Sequence, residues 1–324
     1  MIKTLADFAA ARHRIYLRRA SGEPGPWTDD PILRDNRFCN VFRELDTVTI
    51  WIRKNIRERW ADHPHLWFML CIARYINWPP TLARLIELAD KEGIACWPSH
   101  PDFTCGEKSI TGQRFASDLT WALTQIAKEG KVYTGAYMIR AESNRNVHWY
   151  SWSKHKYIAE IVLGRLWEDR EAWAEALEPD VSGQALQPSL QAIWDRFQEP
   201  RYIGWGPFMA YEVVTDLRHT RYLRGAPDIQ TWANAGPGAI RGLNRLHGRE
   251  LKAHPKPEQT NAEMMELMKG LNAVADREVF GDVVFEMRDV EHLLCELDKY
   301  LRVKTGEGRM RNHYDWRKAT PLPE

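Results

Sequence analysis

Apolar residues recur along this chain at helical rather than strand spacing, in blocks separated by polar, Pro- and Gly-containing breaks. A helix is predicted over Leu5–Arg19. The loop SGEPGPWTDDP follows, and Thr28, Asp29 and Asp30 ahead of Pro31 signal the next helix start. Phe38, Val41, Phe42, Leu45, Val48 and Ile52 then form a stripe that predicts one long helix over Asp35–Asn55. Further helices are predicted at His65–Ile76, Leu82–Glu92, Gly112–Glu129, Tyr157–Ala176, Leu186–Gln198, Pro207–Leu217, Ile229–Ala235, Ala239–Leu246, Ala262–Asp276 and Val290–Val303. The β-branched and aromatic run Lys131–Ile139 predicts a short strand or an extended loop. The expected fold is mainly α, with at most a short strand or hairpin insertion. The break at Leu177–Gln187 predicts two lobes, 1–180 carrying the polar helix 35–55, and 181–324.

One junction between helices carries more information than the others. Leu190, Ile193, Trp194 and Phe197 mark an amphipathic helix, and PRYIGWGPFMAYEVVTDL follows it as a helix–hairpin–helix. Gly204 and Gly206 supply the tight turn, and Pro207 fits the first position of the next helix. Free N–H groups at such a turn and helix start attract phosphate oxygens, so the segment suits a DNA backbone. A plain helical corner in an all-α core is the alternative.

Composition changes this picture only locally. The 324 residues carry a net charge of +1 and are 44% hydrophobic, with no run long enough to span a membrane. The N-terminus is too polar for a secretory signal, and a cytoplasmic protein is expected. Five cysteines without C-x-x-C spacing indicate neither a disulfide framework nor an iron–sulfur cluster. Cys96 and Cys105 near His100 are a loose metal candidate, and ordinary thiols are the simpler reading; no metal ligand is assigned. Charge is blocked along the chain. Eight acidic residues lie between Glu168 and Glu199, whereas Arg201–His254 and Leu301–Lys318 are basic, which suits phosphate contacts.

Three further groups of residues could carry chemistry. Asp228, twenty-two residues beyond Gly206, stands where a carboxylate or an N-cap would open a helix. The turn Gly236-Pro-Gly238, followed by Arg241 and Arg245, is either a phosphate cradle or a helix restart. On the predicted helix 35–55, Arg37, Asn40 and Glu44 share one face, as do Arg43 and Asp46; they are ordinary ion pairs or an anion site with a base. Pro207–Leu217 contains no lysine, which disfavours Schiff-base chemistry, and no G-x-x-x-x-G-K-[ST] loop marks a self-contained kinase.

The stretches PWTDDPIL, RFCNVFRELDTVTIWI, VYTGAYMI, GWGPFMAYEVVTDL and WANAGPGAIRGLNRL together resemble the alpha-glutamyl/putrescinyl thymine pyrophosphorylase family. Relatives of that family include the helical domain associated with 5-hydroxymethyluracil DNA kinases. The resemblance spans roughly Ile15–Leu246. It implies a fold similar to helix–hairpin–helix DNA glycosylases and a phage enzyme acting in the host cytoplasm. The implied reaction displaces pyrophosphate from 5-(pyrophosphoryloxymethyl)uracil in double-stranded DNA with an amine, an amino acid such as glycine or a polyamine. The base would be flipped out of the stack. Within that reading Asp228, Glu44 and Asp46 are candidate bases, and Arg37, Asn40, Arg43, Gly236, Gly238 and Arg241 candidate pyrophosphate ligands. Gly204, Trp205, Gly206 and Arg245 are candidate DNA contacts, with Trp205 stacking or wedging. No cofactor is assigned, although a divalent metal could accompany pyrophosphate, and the pathway's DNA kinase is an expected partner. A monofunctional glycosylase for a modified pyrimidine and a non-catalytic DNA-binding partner of the kinase are the competing functions.

Overall fold

In the computed structural model, described over residues 1–106, 108–135, 145–178, 187–310, 313–319 and 322, the chain is mainly α. Among the described residues the one β-type pairing is an isolated antiparallel bridge between Asn36 and His313. Residues 131–135 form no strand, and the rest of the segment Lys131–Ile139 lies outside the described residues. No described helix is long and apolar enough to cross a membrane.

Helix starts follow the local chemistry of the sequence. The Asp30 carboxylate accepts from the Ile32 and Leu33 amides and opens Pro31–Asp35. Thr111 caps Gly112–Glu129, Ser189 caps Leu190–Phe197, and Pro occupies an early position at Pro79–Glu92, Pro207–Leu217, Pro237–Leu246 and Pro257–Val274.

Three expected helices are absent in their predicted form; of these, Tyr157–Ala176 is a π-helical stretch Tyr157–Gly164 followed by Arg165–Glu168 and, past a break at Asp169, Arg170–Leu177. The stripe over Asp35–Asn55 is split into Pro31–Asp35, an extended stretch from Asn36, a 3₁₀ turn at Arg43–Leu45, Thr47–Ile52 and a π-helical turn at Arg53–Arg57. The extended stretch is held by long-range partners: Asn36 bridges His313, and the Tyr314 amide donates to the Asp35 carbonyl at 2.9 Å. Helix periodicity therefore registered residues that share a core without sharing a helix. Ile229–Ala235 is a turn followed by extended chain, because the Ile229 carbonyl and the Ala233 amide bond to Met287 and to the Asn261 side chain.

The chain groups into two compact units, Met1–Ile50 with Asp228–Glu324, and Trp51–Pro227. The cuts fall at 50/51 and 227/228, whereas the predicted lobes met at 180/181, inside the second unit. The first unit packs Ile2–Ala20, Pro237–Leu246 and Pro257–Val274 around the helix Met287–Lys304. Gly238 and Gly242 set the closest approach there. A Cβ on Gly242 would lie 2.1 Å from the Leu294 carbonyl oxygen, and one on Gly238 2.5 Å from the Cys295 sulfur.

The second unit centres on the fully buried helix Leu66–Ile76 and an aromatic cluster that includes Phe68, Phe115 and Trp167. Within it Arg74 pairs with the buried Asp216, its Nη2 donating at 2.9 Å, and Arg57 approaches the same carboxylate at 3.8 Å.

Candidate functional site

The extended stretch from Asn36 places side chains that a helix would have fanned around its axis. It forms one wall of a cavity of about 400 Å³ in the first unit, lined among others by Arg12, Arg19, Arg37, Asn40, Asp46 and Lys318. Four cations thus face one carboxylate. That carboxylate is already engaged: Asp46 accepts from the Asn40 amide at 2.9 Å, the Asn40 side-chain amide at 3.2 Å and Arg43 Nε at 2.5 Å. The arrangement suits an anion more than a cation.

Arg12 is the deepest of these cations at 5% exposure. Its Nη2 donates to the Cys39 carbonyl, and its guanidinium lies over the Phe8 and Phe38 rings. Nε and Nη1 have no hydrogen-bond partner among the described residues. Burial lowers the Arg12 pKa, opposed by the nearby Glu296 carboxylate. Arg12 lines the cavity wall, a place where a guanidinium can contact phosphate or carboxylate oxygens, while its two unpartnered nitrogens are themselves shielded from solvent.

Beneath the cavity lies a second polar group. The Cys39 sulfur, a His292 ring nitrogen and a Glu296 carboxylate oxygen all lie within 4.8 Å of one another. Lys299 Nζ donates to both Glu296 oxygens at 3.0 Å. Burial pushes the Cys39 thiol up to about 12 and the His292 imidazole well below its ordinary value. Arg12, His292 and Glu296 were missed from sequence. The detectable signal was His292 and Glu296 four residues apart on the otherwise apolar face of the last long helix.

The residues predicted for the site are only partly brought together. Arg37, Asn40 and Asp46 share the cavity, with Arg37 Nε also donating to the His313 carbonyl at 3.3 Å. Arg43 is bonded to Asp46 of the cavity wall. Glu44 sits half-buried on the 3₁₀ turn, 4.0 Å from Arg288, and does not share a helix face with Arg37.

The Gly236–Gly238 turn is a helix start, and the Gly236 amide donates to the Glu291 carboxylate at 3.4 Å rather than to open space. Arg241 and Arg245 both donate to the buried Asp298 at 2.9 Å, and Arg245 also pairs with Glu307 at 2.5 Å. These arginines hold the helix pair together. Their carboxylate partners answer the charge that pyrophosphate or DNA was expected to meet. Asp228 lies half-buried in a turn and does not open a helix; its carbonyl accepts from the Thr231 and Trp232 amides.

In the second unit the helices Leu190–Phe197 and Pro207–Leu217 are joined by a turn, and two of the expectations placed on its residues are corrected. Gly204 has φ +89°, and a Cβ there would meet Val162 at 2.7 Å, so glycine is required. Gly206 has an ordinary φ of −68° and open space around it, and serves as the N-cap of Pro207–Leu217. Trp205 is 3% exposed: its Nε1 donates to the Val162 carbonyl and its ring packs on Tyr75 and Phe197. It is a core residue, with no face to offer a base. The exposed aromatic beside the hairpin is Phe208, 51% accessible in the first turn of the helix.

Residues 1–310 match the family model described as the helical domain of 5-hmdU DNA kinase. The chain belongs to this family. It is also 23% identical over 335 aligned positions to a 5-hmdU DNA kinase of Bacillus phage SP10, covering 95% of this chain. That alignment takes in 45% of the phage protein, so the chain spans about half the length of the curated relative it matches. No solved structure matches it. The cavity residues from Arg12 to Asp46, the Cys39–His292–Glu296 cluster and the hairpin all fall inside the matched region; Lys318 lies beyond it.

Proposed function

We propose that this chain acts in the elaboration of 5-hydroxymethyluracil in DNA, displacing pyrophosphate from 5-(pyrophosphoryloxymethyl)uracil with an amine, an amino acid such as glycine being the expected class. The observation that carries the reading is the cation-lined cavity of the first unit in a chain of this family. Pyrophosphate is a good leaving group only where its developing charge is met, and preorganised arginine donors meet it without reorganisation. Arg12 and Arg37 supply such donors, and Asn40 and Asp46 hold the wall that presents Arg37.

The incoming amine must lose a proton before its nitrogen bonds to the 5-methylene carbon. Asp46 already accepts three hydrogen bonds, two from Asn40 and one from Arg43, which fix its carboxylate in the cavity wall. It acts as a positioning residue, and Asp228 is the proposed base. DNA would be held by the hairpin of the second unit, through amides at the start of Pro207–Leu217. Phe208 provides an apolar side chain of the kind that wedges between base steps.

The test is nucleoside mass analysis of DNA carrying the pyrophosphoryl ester after incubation with the protein and a pool of amines. Conversion to an amine adduct with pyrophosphate release is expected. Unchanged DNA with every amine overturns the transferase reading. A second reading, a non-catalytic DNA-binding partner of a kinase, is favoured by one observation, that the relative is a kinase more than twice as long as its matched region. Under it, Arg37→Ala would leave modification by a reconstituted pathway unaltered. A monofunctional glycosylase would instead leave abasic sites on 5-hydroxymethyluracil DNA.

A further inference from the structure

We propose that Cys39, His292 and Glu296 form a binding site for one divalent transition-metal ion of the zinc class. The donors come from opposite ends of the sequence. His292 and Glu296 are one turn apart on the helix Met287–Lys304, and Cys39 reaches them from the extended stretch after Asn36. Their ligand atoms converge to within 4.8 Å. A second observation points to a missing partner: His292 is 8% exposed, and its Nε2 has no hydrogen-bond partner among the described residues. Buried imidazole nitrogens are ordinarily satisfied, so this one is placed for something the polypeptide does not supply.

The donor set selects the ion. Sulfur, imidazole nitrogen and one carboxylate are the ligands of zinc and its transition-metal neighbours, whereas calcium and magnesium take oxygen alone. As the sulfur–metal bond forms, the Cys39 thiol releases its proton to solvent. Thiolate and carboxylate together cancel the two charges of the ion, so the loaded centre is neutral. Arg12 and Lys299 beside it would oppose a bare cation but do not oppose a neutral centre. Lys299 currently bonds both Glu296 oxygens and is 29% exposed at its side chain, so its ammonium can turn to solvent and free one oxygen. Three protein ligands leave a fourth tetrahedral position. Cys39 also lines the cavity, a space able to supply a water or an anion to that position.

The proposal is independent of amine transfer, since its measurements need no DNA. The full chain is produced with zinc, purified without chelator, dialysed against metal-free buffer and analysed by plasma mass spectrometry. About one zinc per chain is expected, falling at least about tenfold in Cys39→Ser and His292→Gln, with far-UV circular dichroism showing the fold retained. Cys105→Ser, at an exposed thiol, should keep the metal. Cobalt loaded into the wild type should give a near-ultraviolet sulfur-to-metal band that Cys39→Ser lacks. Wild-type protein that stays metal-free after zinc and cobalt loading overturns the proposal, and so does equal metal content in folded Cys39→Ser. The cluster would then be a buried polar group held by Lys299 on Glu296.

Discussion

Replacing Gly242 by alanine separates the two uses to which a glycine-rich segment can be put. An alanine Cβ at this position would lie 2.1 Å from the Leu294 carbonyl oxygen, 2.8 Å from its carbonyl carbon and 3.1 Å from its Cα. All three are backbone atoms of a packed helix, so no side chain can turn aside. The helices Pro237–Leu246 and Met287–Lys304 must part by roughly 1 Å, a gap that forfeits a quarter to a half of the dispersion well for each atom pair it opens. Helix propensity favours alanine by about 1 kcal/mol, and overpacking against a rigid neighbour costs about 3 kcal/mol or more. The expected net loss is about 2 kcal/mol or more. Gly270→Ala is the control. Its Cβ would meet only the Ile2 side chain, Cδ1 at 2.4 Å, and that N-terminal residue can rotate away, so a change within about 1 kcal/mol is expected. Urea unfolding followed by far-UV circular dichroism, with pyrophosphate binding measured in parallel, decides the matter. An unaltered Gly242→Ala midpoint with lost pyrophosphate binding would refute the packing argument and restore the phosphate cradle.

Three other outcomes follow from particular side chains. Burial raises the Asp289 carboxyl from an ordinary 3.8 to about 6, so the folded state holds this proton more tightly than the unfolded chain does. Its contribution, about 3 kcal/mol, is present below pH 3.8 and is lost as pH rises to about 6. Asp289→Asn should therefore match the wild type near pH 4 and exceed it above pH 7 in urea midpoint; parallel profiles would contradict this. Asp216→Ala removes the buried carboxylate that Arg74 and Arg57 share and should cost about 3–5 kcal/mol, read as a lowered thermal midpoint. Arg37→Ala should lower the rate of pyrophosphate release at least about tenfold while DNA retention on filters is unchanged; loss of both together would place Arg37 in DNA binding instead.

Much of the fold was legible because it is written locally. Capping by Asp30, Thr111 and Ser189, and Pro at helix starts, act within one turn, so Gly112–Glu129 and Pro207–Leu217 are found where the sequence puts them. The failures share one cause. Asn36–Phe42 has helical periodicity but is drawn out by backbone bonds to residues almost 280 positions away, which no local pattern records. Trp205 shows the same limit from another side: a tryptophan between two glycines reads as exposed until Tyr75 and Phe197 are seen to enclose it.

For the site, the distinction runs between residue type and residue commitment. Sequence marks arginines that suit phosphate, but only packing tells which ones already have a carboxylate. Arg241 and Arg245 were picked for standing beside a glycine turn, yet Asp298, more than fifty residues on, holds both from a position 1% exposed at its side chain. Arg12 lies within the helix Ile2–Ala20 with no local feature to mark it, yet burial leaves two of its donor atoms without a hydrogen-bond partner among the described residues. Among the described residues no carboxylate is hydrogen-bonded to Arg12, whereas moving Arg241 onto a ligand would take one of two arginines from Asp298. Loosening the ion pairing of a buried carboxylate is costlier than what one arginine contributes to an exposed phosphate contact. That inequality, more than proximity in sequence, is why Arg12 and Arg37 are proposed for the leaving-group contact in place of Arg241, with the Gly236 turn left to the architecture.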